Sequence, residues 1–350
     1  MKTVGFSVLL ALRRSSAIGL IAAMIFKAGL VFSSDLDPPR LTLPIDCQLG
    51  DSCWLVNLVD IDSSADVRDY RCGRHTYDGH KGIDIAIRNL AAMKKGVMVL
   101  AAAPGVVKGV RDGMPDKMPD EKFRRRFKHL YCGNGMVIVH AAGWETQYCH
   151  LRRGSVAVKV GDQIKRGQKL GLVGHSGMTE FPHVHLSVRR AGKVIDPFLG
   201  DQPQHKNTCR SSADTLWGTS TLKALSAPMT AVFNTGFAAE PPKDRAIRKG
   251  LYNAKALSRH SPALVFWVET WWVRQGDKLE ITILNPDSQV IVRHASLLPK
   301  NQARRMIYAG QKKKGLFWPS GVYTGEVRLS RTEGGKTQRF FGQSKIILRD

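Results

Sequence analysis

Three short segments of this chain set metal-binding and proton-transferring side chains at strand spacing. In His80-Lys81-Gly82-Ile83-Asp84-Ile85, Gly82 and its β-branched neighbours favour an extended segment over a helix. With a period of two, His80 and Asp84 then share one face, and Ile83 and Ile85 the other. In Tyr148-Cys149-His150-Leu151 the same period pairs Tyr148 with His150. In His183-Val184-His185-Leu186-Ser187-Val188 two imidazoles share a face, while Val184, Leu186 and Val188 alternate into an apolar side. Two imidazoles two residues apart on a strand can aim at one point. An imidazole–carboxylate–imidazole set suits Zn2+, and three protein ligands leave a fourth position open for water. A lone His-x-x-x-Asp is more often a surface pair. In this order, with Gly133-Asn134-Gly135 upstream of Tyr148, the segments make one constellation.

The elements that must carry these segments read as strands. From His80 to about Phe198, short β-branched runs (Val97–Leu100, Val106–Val110, Met136–His140, Val156–Val160, Val184–Val188) alternate with glycines. Short strands at close spacing indicate an antiparallel β domain, placed at residues 77–200. Arg111–Tyr131 interrupts it and reads as a long surface loop. Residues 34–76 are polar and read as a disulfide-containing leader, and residues 201–260 as a connector. Leu264–Val273, Leu279–Leu284, Val290–Arg293, Val322–Leu329 and Phe340–Leu348 are strand-like, which makes 261–350 an accessory β domain of sandwich size. The expected class is all-β.

On these motifs the chain resembles the lysostaphin-type (LytM-like) zinc endopeptidases that cut peptide bridges in peptidoglycan. The resemblance runs from about Tyr77 to Phe198, through His80 to Asp84, Val99-Leu100-Ala101-Ala102-Ala103-Pro104-Gly105, Gly133 to His140, Tyr148 to Leu151, Gly161-Asp162, Gly174-His175-Ser176-Gly177, Pro182 to His185 and Asp196-Pro197-Phe198. It implies a compact antiparallel catalytic domain with one Zn2+ in a groove, held by His80, Asp84 and His185. His150 and His183 are its two further active-site histidines. No Glu lies within either metal motif, so the resemblance assigns the water proton to His183 and an oxyanion hydrogen bond to His150. Tyr148 either orients that group or is a packed strand tyrosine. Two features depart from the family pattern: Ser187 stands where an acidic residue is frequent, and the Arg111–Tyr131 insertion is long.

The alternative reading is an inactive envelope protein of the same fold that binds peptidoglycan or activates an amidase. Such relatives typically lose metal ligands, whereas all five polar positions are present here. A cysteine peptidase using Cys149 fails, because strand alternation turns adjacent His150 to the opposite face. His75, His129, His140 and His175 fall outside the matched motif roles and are expected to be surface or structural.

Lys2, Arg13 and Arg14 precede the apolar run Ala17–Phe26, and small residues follow at Ser33-Ser34. This reads as a signal peptide over 1–33, with an uncleaved anchor as the alternative, and hence as a periplasmic or cell-envelope protein. Six cysteines (Cys47, Cys53, Cys72, Cys132, Cys149, Cys209) follow the expected cut, and an even count in an exported chain favours disulfides. Cys47 with Cys53 closes the smallest loop; Cys72–Cys132 and Cys149–Cys209 are the expected remainder. The net charge is +24, and residues 241–350 hold 21 Lys+Arg against 8 Asp+Glu. That basic stretch is either a solvated face or a surface for an anionic wall or membrane. With no recognisable nucleic-acid motif, nucleic acid is not an expected partner; a peptidoglycan peptide is. Trp267, Trp271, Trp272 and Trp318 read as sandwich core, with a glycan-binding face as the alternative.

Overall fold

The computed structural model describes residues 37–126, 129–201 and 209–350; the expected signal segment lies outside the described residues. The segment Ile83-Asp84-Ile85-Ala86-Ile87 is buried on both faces, so it takes an interior place in a sheet. Strands β1 (Cys53–Asn57), β2 (Ile83–Ile87), β3 (Met98–Leu100), β4 (Gly105–Arg111), β5 (Asn134–Val139), β6 (Trp144–Leu151), β7 (Gln163–Ile164), β8 (Lys169–Leu172), β9 (His183–Arg190) and β10 (Lys193–Ile195) make the first half. Apart from the β3–β8 pair, they form one sheet in the order β1-β2-β9-β6-β5-β4-β7, with β10 on the end of β9. All its pairings are antiparallel. Its register sets Asn57 opposite Asp84, Asp84 opposite His185, and His185 opposite Cys149, a row crossing four strands. Beneath that row, Ile83, Ile85, Val184, Leu186 and Val188 enter the core with Met136, Ile138 and Tyr148.

The polar leader is more deeply built in than a leader need be. Leu41 and Ile45 sit in the same core, and Cys53–Asn57 is the edge strand of the sheet. Disulfides close Cys47–Cys53, Cys72–Cys209 and Cys132–Cys149. The first matches expectation; the pairings Cys72–Cys132 and Cys149–Cys209 do not form. Antiparallel β5 and β6 bring the chain before β5 beside the end of β6, leaving Cys132 and Cys149 with Cα atoms 4.7 Å apart. Cys72 is then free for Cys209, at 4.8 Å.

The second half contains β11 (Ala231–Ala238), β12 (Ala256–Ser258), β13 (Ala263–Val273), β14 (Lys278–Leu284), β15 (Val290–Leu297), β16 (Gln302–Lys312), β17 (Gly321–Glu333) and β18 (Lys336–Arg349). A sheet β11-β13-β16 faces a sheet β12-β18-β17-β14-β15, in which β12 pairs β18 in parallel. Phe237, Leu264, Phe266, Ile281, Val327 and Ile346 fill the space between them, as in a sandwich. The stretch 201–260, expected as connector, thus supplies β11 and β12. Among the described residues, α-helices are few and short: α1 (Leu90–Lys95), α2 (Glu121–Arg126), α3 (Thr219–Leu225) and α4 (Asp244–Lys249). Trp267, Trp271 and Trp318 are buried and Trp272 is half-buried, so these indoles are packed. Trp54, Val56 and Ala86 of the first half meet Phe233 and Trp271 of the second in one buried cluster. Among the described residues, no helix is long and apolar enough to cross a membrane.

Candidate metal and catalytic site

Five polar side chains spread over the sequence converge above the row described. His80 Nδ1 donates to the Leu58 carbonyl at 2.7 Å, so its Nε2 carries the lone pair. That Nε2 lies 3.3 Å from Asp84 Oδ1 and 3.2 Å from His185 Nδ1, and His185 Nδ1 lies 2.8 Å from the same oxygen. A tetrahedral zinc with bonds near 2 Å sets its donors about 3.3 Å apart, so the triangle fits that ion. The far side of each donor is held as well. Asn57 Nδ2 donates to Asp84 Oδ2 at 2.7 Å, and His185 Nε2 meets the Ser187 hydroxyl at 2.9 Å. Ser187, the departure from the family pattern, therefore contacts the His185 ring directly. Such outer partners fix the tautomer and orientation of metal ligands. Gly82 is required by closeness: a Cβ there would stand 2.5 Å from the Leu186 carbonyl oxygen and 2.6 Å from His185 Nε2.

His183 and His150 complete the cluster, their ring centroids 4.6 Å apart. His183 Nδ1 donates to the Phe181 carbonyl at 2.9 Å, and its Nε2 lies 3.3 Å from Asp84 Oδ1. His150 Nδ1 donates to the Ser176 carbonyl at 2.8 Å. With Nδ1 so engaged, Nε2 is the ring nitrogen that each turns toward the groove. His150 reaches the groove against strand alternation, because its backbone is left-handed at φ 65°. Consequently Tyr148 does not share its face. The Tyr148 hydroxyl is fully buried, accepting from the Ala102 amide at 2.8 Å, and the residue has no place in the groove wall. Of the two readings of Tyr148, its position is that of a packed strand tyrosine and not of an orienting group in the groove. Cys149 and His150 both line the groove, contrary to the alternation argument, but the Cys149 sulfur is tied to Cys132 and offers no thiol.

Electrostatics favour a cation at this point. Burial would raise the Asp84 carboxyl, yet the His80, His183 and His185 rings hold it well below the usual carboxylate range. Burial opposes charge on His80 too, but Asp84 pushes its affinity for a proton up. Burial lowers His185, and it lowers His150 strongly with help from the neighbouring His183 and His185. The site combines an ionised carboxylate with two imidazoles, His185 and His150, that burial holds toward the neutral form, the forms that bind metal.

The groove around the cluster is about 1160 Å3. Pro119, Arg124 and Tyr131 from the insertion line it, and so do Trp271, Trp272 and Arg304 from the second half. Trp272 Nε1 donates to the Val56 carbonyl, and its ring meets the His75 edge at 5.0 Å. The sequence reading missed these contributions, as well as Asn57; a single Asn at a strand end carries no mark that sets it apart. His140 is buried, bonding the Pro104 carbonyl and the Thr146 hydroxyl, while His75 pairs with buried Asp69; His129 is exposed. His175 is buried and lines an adjoining cavity rather than the groove.

Residues 78–197 match the family model described as Peptidase family M23. Peptidoglycan DD-endopeptidase ShyB of Vibrio cholerae is 39% identical over 80 residues, 23% of this chain and 18% of that protein. Peptidoglycan DD-endopeptidase ShyA of the same organism is 30% identical over 124 residues, 35% of this chain and 23% of that protein. The DD-carboxypeptidase/endopeptidase Mpg of Neisseria meningitidis is 33% identical over 123 residues, again 35% and 23%. The chain thus spans under a quarter of the length of these curated relatives. Among solved structures, the catalytic domain of lysostaphin from Staphylococcus simulans is 22% identical, over 34% of this chain and 76% of that chain, at a TM-score of 0.25, too loose a likeness to argue from. The match to the peptidase family M23 model covers residues 78–197, about a third of the chain, and that stretch contains all five of the converging side chains.

Proposed function

We propose that this domain is a zinc-dependent endopeptidase that hydrolyses peptide bonds in peptidoglycan stems or cross-links, working outside the cytoplasm. The observation that carries the reading is the convergence of His80 Nε2, Asp84 Oδ1 and His185 Nδ1 within 3.3 Å of one another. The relatives named as peptidoglycan endopeptidases supply the substrate class. Three disulfides suit an oxidising compartment, and the reading of 1–33 as an export signal agrees with them.

His80, Asp84 and His185 would hold the zinc ion, which when bound activates a water and polarises a carbonyl. His183 serves as the base: with Nδ1 turned to the Phe181 carbonyl, Nε2 is the atom that takes up the proton, and the facing Asp84 Oδ1 stabilises the imidazolium that forms. His150 remains neutral at rest through burial and its histidine neighbours. It can donate to an oxyanion only when its Nε2 also carries a proton, which the adjacent His183, having taken one from the water, would have to pass to it. Trp271, Trp272 and the insertion wall the groove and confine the peptide beside the cluster. An inactive relative would need a broken donor set, and the five side chains here are complete.

Metal analysis of the purified protein should find one zinc per chain, and His80→Ala should abolish it. Digestion of purified peptidoglycan should release peptides that mass analysis assigns to one bond class. Full zinc occupancy in His80→Ala, or intact peptidoglycan after prolonged digestion by zinc-loaded protein, refutes the assignment.

A further inference from the structure

Beside the groove lies a second cavity of about 620 Å3, within the range of small-ligand sites. The two share Pro119, Glu180, Phe181, Arg248, Trp271 and Arg304 as common walls. Rings lead from one into the other: Phe181 lies 4.8 Å from His183, Trp271 lies 5.3 Å from Phe181, and Phe233 stacks on Trp271 at 4.5 Å. The cavity is assembled from both halves of the chain, with β2, α4, β11, β13 and β16 or their flanks contributing.

Its charges are unequally matched. Asp244 is tied to Arg248 and Arg304, Glu269 to Arg304, and Asp120 to Lys117. Asp116 accepts from the His175 and Arg153 amides, and Glu180 is exposed. Arg88 gives its guanidinium to the Phe233 and Asp51 carbonyls, which leaves its positive charge uncompensated. Arg245 and Lys249, one turn apart on α4, are exposed. Lys81 and Arg124 stand the same way on the groove. Groove and cavity together carry nine cationic side chains against six carboxylates, before any metal adds its charge.

We propose that the cavity is a second subsite, taking a carboxylate-bearing arm of the peptide held in the groove, with Arg245 and Lys249 reading the carboxylate. The inference rests on the peptidase reading for the identity of that peptide. A linear peptide across the groove leaves the cavity empty. A branched or cross-linked peptide has a second arm, and the shared Phe181–Trp271 wall lets that arm pass from one space to the other. Potential complementary to the ligand gives selectivity even where each exposed contact is weak.

The test is a calorimetric titration of full-length His183→Ala protein, which keeps the peptide uncleaved. The probes are a cross-linked stem-peptide dimer with free carboxylates and the same dimer amidated. The free dimer should bind about tenfold tighter than the amidated one. Arg245→Gln combined with Lys249→Gln should bring the two within about twofold, while Lys193→Gln, on exposed β10, leaves the preference intact. A preference that survives the double substitution overturns the assignment, and so does an absence of preference or of binding by the starting protein. Because binding is read without cleavage, an inert wild-type enzyme would refute the peptidase reading alone.

Discussion

Asn57→Ala tests whether the cluster is tuned from outside its donors. Asn57 Nδ2 donates to Asp84 Oδ2 at 2.7 Å, while Oδ1 of the same carboxylate faces the imidazoles. Removing the amide frees the carboxylate to rotate and leaves one of its oxygens without this donor. A hydrogen bond to a charged group contributes about 1.5–3 kcal/mol, and loss of an outer partner of a metal ligand typically weakens metal binding about 10- to 100-fold. These ranges agree, since each tenfold is about 1.4 kcal/mol. Asp84 is buried but Asn57 is only half-buried, so water can partly replace the lost donor. The expected effect therefore sits at the low end, about a tenfold rise in the zinc Kd. Competition against a chromophoric chelator measures it, with circular dichroism confirming the fold. A Kd within twofold of wild type would refute the argument that Asn57 orients Asp84.

His183→Ala and His150→Ala should retain zinc yet lose about a hundredfold or more in turnover on a soluble cross-linked peptide, read by product mass; loss of zinc with normal turnover would invert the roles. Trp271→Ala should cost about 3–5 kcal/mol in urea unfolding, because the ring is buried between the halves. Truncation before Ser261 should yield insoluble protein rather than a free catalytic domain, since it removes Trp271 and strips β11 of its partner β13; a soluble, zinc-loaded truncate would contradict the shared core. Burial pushes the Asp196 carboxyl up to about 7, against about 3.9 for an unfolded chain. The folded state thus holds a proton that the unfolded state has released, and stability should fall as pH rises from about 4 to 7, by at most about 4 kcal/mol. Urea titrations across that window should show the slope flattened in Asp196→Asn.

What could be read from sequence depended on whether local pattern and tertiary context agreed. The donors were legible because strand period and residue chemistry point the same way in His80–Asp84 and His183–His185. The supposed common face of Tyr148 and His150 did not hold, because the left-handed backbone at His150 breaks the period they were judged by. β16 escaped notice since Gln302-Ala303-Arg304-Arg305 is polar, and only its pairing with β13 makes a strand of it. β11 was similarly hidden, its apolar residues interrupted by Asn234, Thr235 and Gly236. Two cysteine pairings went wrong for a related reason: which sulfurs meet is decided by register between β5 and β6 and by the return of residue 209, neither of them local. The accessory half looked separable because it carries no metal motif, yet its tryptophans wall the groove.

The cluster shared by Trp54, Val56, Ala86, Phe233 and Trp271 also imposes a timetable on the newborn chain. Trp54 and Ala86 leave the ribosome long before Trp271, more than 180 residues further on. At about 5–20 residues per second, that gap lasts roughly 10–40 s. Throughout it, the sheet face carrying Trp54 and Ala86 lacks Trp271, the residue of β13 that completes its cover. Any machinery that conveys the nascent protein must shield this face until β13 arrives, and a stall after the first half would leave a nearly complete metal site on an adhesive fragment.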